Sequence, residues 1–292
     1  MSKDTLFIPR LCIIGVGLIG GSLARALKNA ACVGEIIGSG RRIEPLQLAQ
    51  KLGVIDRYET DFGNAVREAD VVVLAVPLGA MRPVLEQIAS ALPERCVLTD
   101  VGSAKSCFVE DARQVFGEIP PTLVPAHPIA GTERSGVEAS FAELFQGRRV
   151  ILTPLLETEG WALELMRAMW QCTGAEVIDM GVKHHDDVLA ATSHLPHMLA
   201  YTLVESLARM DDRAEIFRYA AGGFRDFTRI ASSDPTMWRD ICLANRDALL
   251  SVIKHFRHDL SHLTEAIATA DGDEIMGIFQ RAKHARDTLY RD

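Results

Sequence analysis

The chain has 292 residues, of which 48% are hydrophobic and 24% charged, and its formal net charge at pH 7 is -8. This length exceeds what one hydrophobic core usually supports, so two domains are expected, and the composition excludes an intrinsically disordered chain. The acidic balance and the lack of any apolar run near the roughly 18 residues of a membrane helix exclude nucleic acid and a membrane as expected partners.

Short apolar runs alternate with amphipathic helical patterns in the first part of the chain. Strands are predicted at residues 11–15, 35–38, 71–76, 96–101, 122–125, 149–153 and 176–180. Helical patterns occupy the gaps between them, as at residues 82–92 and 161–172. This alternation is typical of an α/β fold in which helices cover both faces of a doubly wound parallel sheet. The first domain is predicted to span residues 1–181.

The remaining chain, residues 182–292, is predicted to form an all-α domain. Strand patterns stop after Gly181, and long helical patterns cover residues 186–210, 237–268 and 273–290. Pro196 is expected to kink the first of these helices. An apolar stripe at helical spacing runs from Leu243 to Ile267, and it is too long for a small domain to cover alone. We therefore expect a homodimer that forms through this all-α dimerisation domain.

A glycine motif, Gly15-Val-Gly17-Leu-Ile-Gly20, follows the first predicted strand and opens a helical pattern. In a Rossmann-type fold the first glycine makes the turn, the second lets the backbone approach a pyrophosphate, and the third allows close helix packing. The motif in this position therefore predicts a dinucleotide site. The predicted cofactor-binding residues are Gly15, Gly17, Leu18, Ile19, Gly20, Ser39, Gly40, Arg41, Arg42, Val76 and Pro77.

The segment at the end of the second predicted strand, Ser39-Gly40-Arg41-Arg42, indicates which cofactor is bound. An acidic residue at such a position bonds the ribose hydroxyl of NAD. None is present here, and two guanidinium groups follow that suit a 2′-phosphate. NADP is therefore the predicted cofactor. The alternative is that both arginines form a solvated loop and that NAD is used.

Two further segments are expected at the carboxyl edge of the sheet, where open α/β proteins bind ligands: residues 99–105 and 124–133. In the second segment, His127 lies between Pro125 and Pro128. Because the pKa of an unperturbed histidine is about 6.5, such a residue is suited to proton transfer near neutral pH. The alternative is a hydrogen-bonded loop histidine without a chemical role.

Five motifs in order along the chain carry a resemblance to a known family. They are Gly-x-Gly-Leu-Ile-Gly-Gly-Ser at 15–22, Asp-Val-Gly-Ser-x-Lys at 100–105, His-Pro-Ile-Ala-Gly-Thr-Glu at 127–133, Ser-His-Leu-Pro-His at 193–197, and the segment 222–240. Together they resemble the prephenate/arogenate (cyclohexadienyl) dehydrogenases over nearly the whole chain. The resemblance implies oxidative decarboxylation of prephenate or arogenate with hydride transfer to NAD(P), yielding 4-hydroxyphenylpyruvate or tyrosine in tyrosine biosynthesis. With no secretion signal recognised, a cytoplasmic enzyme is expected.

The resemblance also implies roles for individual residues. His127 corresponds to the catalytic histidine that takes the proton of the ring hydroxyl, and Ser103 to a serine that orients it. Arg229 corresponds to a cation, expected to be buried, that binds the ring carboxylate, with Glu133 and Asp226 in an ionic network around it. Further substrate-binding positions implied are Thr132, His194, His197, Gly222 and Trp238.

Other functions fit the sequence less completely. A β-hydroxyacid dehydrogenase or an imine reductase explains the glycine motif but not the segment 127–133. A non-enzymatic nucleotide sensor would have no use for His127, Ser103 and Arg229 together. Three histidines at helical spacing (255, 258 and 262) lack an evident fourth ligand, so no metal is expected.

Overall fold

The computed structural model describes residues 6–289. Its contacts divide the chain into two compact units, Met1–Arg246 and Asp247–Asp292. The first unit thus contains the predicted sheet domain together with the first part of the predicted helical domain. The boundary predicted after residue 181 stays a prediction.

A five-stranded parallel sheet forms the centre of the first unit. Its strands are β1 (Ile8–Ile14), β2 (Val33–Ser39), β3 (Arg57–Glu59), β4 (Val71–Leu74) and β5 (Val97–Asp100). They are arranged in the order β3-β2-β1-β4-β5, and every pair is parallel. The predicted α/β class with a Rossmann-type sheet is confirmed. The edge strand β3 was not predicted, because three half-buried residues carry too little apolar pattern.

Helices cover both faces of this sheet. Along β1, Leu11 and Ile13 belong to one cluster of buried side chains, whereas Cys12 and Ile14 belong to a second cluster. Because successive side chains of a strand point to opposite faces, both faces are buried, which explains the continuous apolar run at residues 11–14 of β1. The helices that follow these strands are α1 (Leu18–Asn29), α2 (Ile43–Lys51), α3 (Phe62–Val66), α4 (Met81–Ile88) and α5 (Ser106–Phe116).

The later strands form a separate, mixed sheet. It contains β6 (Ala126–Pro128), β7 (Arg149–Leu152) and β8 (Glu176–Asp179), with α6 (Gly160–Cys172) before the last strand. β6 and β7 are antiparallel, and β7 and β8 are parallel.

The strand predicted at residues 122–125 is wrong in its position. Only Leu123 forms a bridge there, to Leu98 of β5, and the true strand β6 begins one residue after Pro125. Pro125 has no backbone N–H and cannot donate to a ladder, so regular pairing does not run through it.

Five helices complete the first unit: α7 (Val182–Leu189), α8 (Leu195–Ala208), α9 (Arg213–Arg218), α10 (Gly222–Thr228) and α11 (Pro235–Ala244). A π-helical segment, Ala190–His194, joins α7 to α8. Pro196 lies in the first turn of α8 and cannot donate to the carbonyl four residues earlier. The expected irregularity at Pro196 therefore takes the form of a widened turn just before it.

The second unit contains α13 (Gly272–Leu289) and all but the first residue of α12 (Arg246–Ala268). The single helix predicted at residues 237–268 is in fact two, because α11 ends before Asn245 and α12 begins after it. Exposed apolar side chains on α12 and α13 include Leu250, Leu260, Ile267, Met276 and Phe279. Within residues 6–289, no helix combines the length and apolar character that crossing a membrane requires.

Candidate active site

The glycine loop between β1 and α1 has two tightly packed positions and one open position. Gly15 has φ +100°, and a Cβ atom added there would lie 2.4 Å from the carbonyl oxygen of Ala75. A Cβ atom at Gly20 would lie 2.4 Å from the carbonyl oxygen of Gly15. At Gly17, by contrast, an added Cβ atom meets nothing within 4 Å. Packing therefore requires glycine at positions 15 and 20, whereas position 17 borders open space at the N-terminus of α1.

This contrast yields a test of the predicted dinucleotide site. Gly17→Ala is expected to weaken nicotinamide-cofactor binding by about 10-fold or more, because the new methyl group occupies the space through which a pyrophosphate approaches the backbone. The melting temperature should fall by no more than about 3 °C, the effect of a poorer N-cap. Fluorescence titration with the reduced cofactor and thermal unfolding measure the two effects.

Gly20→Ala serves as the contrasting variant, since it should destabilise the fold itself. Unchanged cofactor affinity in a folded Gly17→Ala protein would contradict the site.

The other predicted cofactor positions differ in what they present. Ser39 is buried, and its hydroxyl already donates to the carbonyl oxygen of Glu59 at 2.6 Å. Arg41 and Arg42 are exposed, and neither guanidinium group forms a hydrogen bond or ion pair with any residue from 6 to 289. Gly40 has room for a side chain, because an added Cβ atom is 3.7 Å from the nearest atom of Leu46. Half-buried or exposed positions complete the set at Leu18, Ile19, Val76 and Pro77.

His127 lies on β6 and is buried. Its Nδ1 atom is 2.8 Å from Nε2 of His185 on α7, and Nδ1 of His185 is 2.9 Å from a carboxylate oxygen of Asp186. Burial, followed by the charge of Lys105, lowers the pKa of His127 well below 6.5. His127 is therefore neutral at pH 7, as a proton acceptor must be.

A buried ion pair anchors the backbone beside His127. The ammonium group of Lys105 donates to a carboxylate oxygen of Asp100 and, at 2.8 Å, to the carbonyl oxygen of Ala126. Asp100 in turn accepts from the backbone N–H of Ala126 at 3.2 Å. Both charged side chains are fully buried, so each depends on the other for compensation. The end of β5 thereby positions the residue that precedes His127.

The predicted contact of Ser103 with His127 is not formed in the structure. Ser103 lies half-buried in the loop between β5 and α5, and its hydroxyl forms no hydrogen bond within the described part of the chain. His185 instead occupies the Nδ1 side of His127. This contact of His185 was not predicted from the sequence, since the run of charged residues that begins α7 indicates only a helix N-terminus.

Three predicted substrate residues form an aromatic cluster. His197 stacks on Trp238 with ring centroids 3.6 Å apart, and His194 meets the same indole edge-to-face at 6.1 Å. Asn245 lies 3.1 Å from Nδ1 of His194 through its side-chain nitrogen, which donates to the ring. Burial lowers the pKa of His194 to about 4 and also lowers the pKa of His197. The cluster is therefore uncharged at neutral pH.

Arg229 and Glu133 come together as predicted, forming an ion pair between segments 96 residues apart in sequence. The expectation of a buried cation is wrong: the side chain of Arg229 is 62% exposed and that of Glu133 is 41% exposed.

Asp226 is exposed and pairs with no residue among those described, and Gly222 is exposed at the start of α10. Thr132, near Glu133, accepts from the backbone N–H of Arg134 at 3.2 Å. No cluster of three or more His, Cys, Asp or Glu residues within 6–289 is placed to hold a metal ion.

Comparisons with known proteins point to one family. The family model described as "Prephenate dehydrogenase, nucleotide-binding domain" matches residues 23–179, and the one described as "Prephenate dehydrogenase, dimerization domain" matches residues 182–281. The chain is 42% identical to cyclohexadienyl dehydrogenase from Zymomonas mobilis, over 97% of this chain and 96% of that protein. It is 37% identical to prephenate dehydrogenase from Bacillus subtilis, over 98% and 76% of the two chains.

A solved structure is similar over the same extent. Prephenate dehydrogenase from A. aeolicus in complex with hydroxyphenyl propionate and NAD+ superposes with a TM-score of 0.90 and 36% identity. The match covers 98% of this chain and 100% of that one. The similarity therefore extends through the sheet and the helices together.

Proposed function

The chain belongs to the prephenate dehydrogenase family, and from this we propose that it oxidatively decarboxylates prephenate, arogenate or both, with a nicotinamide cofactor as the hydride acceptor. The observation that carries the proposal is the buried, neutral His127, whose Nδ1 side is held by His185. A neutral His127 suits this reaction, which needs one proton acceptor and no strong acid. The proposed site also contains the aromatic cluster and the Arg229–Glu133 pair.

The test is a turnover assay with the purified protein, prephenate and arogenate, each with NAD and with NADP. We expect reduced cofactor and carbon dioxide to form in equal amounts in at least one of the four combinations. An absence of turnover in all four, with a folded protein, would contradict the proposal.

The proposed mechanism follows from the substrate's instability. A cyclohexadienol with a carboxylate on its quaternary carbon becomes aromatic when it loses hydride and carbon dioxide. When bound, the cofactor accepts the hydride. His127 accepts the proton of the ring hydroxyl on Nε2 as hydride leaves the carbon that bears it, so that the electron pair of the O–H bond forms the C=O bond. The electron pair of the bond to the departing carbon dioxide then enters the ring, and the phenolate oxygen takes the proton back from His127. Because the reaction is driven by aromatisation, alignment and this single proton transfer account for most of what the protein must supply.

Substrate binding is proposed for the residues of the Arg229–Glu133 pair and of the aromatic cluster. Arg229 is proposed to bind the carboxylate that leaves, after Glu133 gives up part of the ion pair that now neutralises it. The side chain of the substrate, with its own carboxylate and its keto or amino group, is proposed to lie near His197 and Trp238. Ser103 is proposed to approach His127 and the nicotinamide when both ligands are present.

NADP is proposed as the preferred cofactor, because Arg41 and Arg42 have no protein partner within residues 6–289 and Gly40 carries no acid. Gly40→Asp combined with Arg41→Ala is expected to lower the NADP-to-NAD ratio of kcat/KM by about 10²-fold, since an anion replaces a charge-assisted contact to the phosphate. The Cβ atom of a residue at position 40 would make only ordinary van der Waals contact, 3.7 Å from Leu46. Steady-state kinetics with both cofactors gives the ratio.

Lys51→Ala, at an exposed position at the end of α2, is the matched control for loss of a nearby positive charge. An unmodified enzyme that used NAD at least ten times better than NADP would contradict the preference.

A homodimer through α12 and α13 is proposed, because apolar side chains on both helices are exposed and the matching family model describes a dimerization domain. Light scattering at micromolar concentration should give twice the chain mass. Leu260→Asp should raise the dissociation constant by about 10²-fold, whereas Ser261→Asp on the adjacent position should change it much less. A stable monomer in the unmodified protein would contradict the proposal.

A further inference from the structure

The geometry points to His185 and Asp186 as positioning residues that hold His127 in one tautomer, with the proton on Nδ1 and a bare Nε2 facing the reaction. This inference deepens the proposed function, since it explains how His127 is prepared to accept a proton. It rests on a chain of hydrogen bonds in which each donor and acceptor can be assigned in turn.

The ionised carboxylate of Asp186 can only accept hydrogen bonds. One of its oxygens accepts from the backbone N–H of Lys105 at 2.8 Å, and the other accepts from the backbone N–H of Ser106 at 2.8 Å. Burial acts to raise the pKa of Asp186, but hydrogen bonds from His185 and Ser106 outweigh it, and the pKa is lowered to about 2. Asp186 is therefore ionised at neutral pH, and the proton shared with His185 resides on the histidine.

The tautomer of His185 follows from this. Its Nδ1 atom lies 2.9 Å from Asp186 and must donate. The ring is fully buried, and its Nε2 atom lies 2.8 Å from Nδ1 of His127. With one proton, placed on Nδ1, the ring of His185 presents a lone pair on Nε2 toward His127.

His127 is then assigned by elimination. Its Nδ1 atom lies 2.8 Å from the bare Nε2 of His185, so Nδ1 of His127 carries the hydrogen and donates. The two rings meet edge-to-face, with an angle of 67° between their planes. In neutral His127 the remaining nitrogen, Nε2, is an acceptor. After it takes a proton, Nδ1 keeps the same partner, so the hydrogen bond serves both charge states of His127.

Asp186 has a second structural role, which makes it less suitable for substitution than His185. Through Lys105 and Ser106 it caps the N-terminus of α5, so replacing it would disturb the loop that carries Ser103. The ring of His185 hydrogen-bonds the side chains of His127 and Asp186 rather than the backbone of α5, so His185 is the cleaner target. His184, its exposed neighbour on α7, provides a matched control.

The direct test is the tautomer of His127 in the unmodified, ligand-free protein. Two-bond and three-bond proton–nitrogen correlations of 15N-histidine-labelled protein at pH 7.5 distinguish the two nitrogens, and the His127→Asn spectrum assigns the signal among the nine histidines. We expect a protonated Nδ1 and a bare Nε2 for both His127 and His185. A proton on Nε2 of His127, or a doubly protonated His185, would overturn the inference.

Kinetics provides the second test. His185→Phe keeps a ring of similar size but cannot accept the hydrogen bond, so kcat should fall by about 10²-fold while KM stays within about 2-fold. His185→Gln offers a side-chain oxygen to the same Nδ1–H and should recover most of kcat. Equal kcat in His185→Phe and the control His184→Phe would also overturn the inference. If the unmodified enzyme turns over neither substrate, the proposed function fails, while the tautomer measurement still decides this inference.

Discussion

Replacing His127 with asparagine is expected to lower kcat by about 10²-fold or more and to leave KM within about 3-fold. Asparagine keeps an N–H group for His185 but has no basic nitrogen, so substrate binds while the ring hydroxyl loses its proton acceptor. Steady-state kinetics with the better substrate measures both constants. His184→Asn, which makes the same change at an exposed site, should behave as the unmodified enzyme does.

The pH dependence of the unmodified enzyme should report the same residue. Only neutral His127 accepts a proton, so kcat/KM should rise with pH through a midpoint below 6.5 and level off above it. From sequence alone the midpoint is expected near 6.5, but burial and Lys105 lower it. A midpoint above 7, or near-normal turnover by His127→Asn, would exclude His127 as the acceptor.

The lowered pKa values of two histidines also predict how the free energy of unfolding changes with pH. His127 and His194 bind protons less readily in the folded chain than in the unfolded chain. Their contribution to the free energy of unfolding is therefore fully present above pH 6.5. It is lost as pH falls from 6.5 toward the pKa of the folded state, which is about 4 for His194.

Replacing Arg229 with alanine is expected to raise the substrate KM by about 10-fold to 10²-fold, the usual range when one charge-assisted contact is lost. A 10²-fold rise in KM is the largest expected, because Arg229 is largely exposed and water weakens its interactions before substrate binds. Steady-state kinetics at saturating cofactor gives KM for prephenate and for arogenate. Arg229→Lys should recover part of the loss, since it keeps the charge but not the two-pronged geometry.

Arg225→Ala is the matched control, because Arg225 is an exposed arginine of the neighbouring helix α10. Glu133→Gln adds a further comparison: it removes the present partner of Arg229 and should change KM in the opposite direction if the ion pair competes with substrate. An Arg229→Ala enzyme with the KM of Arg225→Ala would remove Arg229 from the binding site.

The sequence by itself determined the features that depend on local pattern. Apolar runs at residues 11–14, 71–74 and 96–98 located β1, β4 and β5, because a strand buried on both faces has no polar side to its pattern. The glycine spacing located the turn before α1, and five ordered motifs identified the family and singled out His127. Each run, the glycine spacing and each single motif depends on residues that are close together in the chain.

Tertiary structure alone decided which distant side chains meet. No periodicity indicates that His185 contacts His127, since 58 residues separate them and the contact depends on how α7 packs beside β6. The antiparallel pairing of β6 with β7 and the short edge strand β3 depend likewise on neighbouring strands. Burial decided the charges: it lowers the pKa of His127, while the exposure of Arg229 contradicts a buried cation, because desolvation is a property of the packed surroundings and not of the residue type.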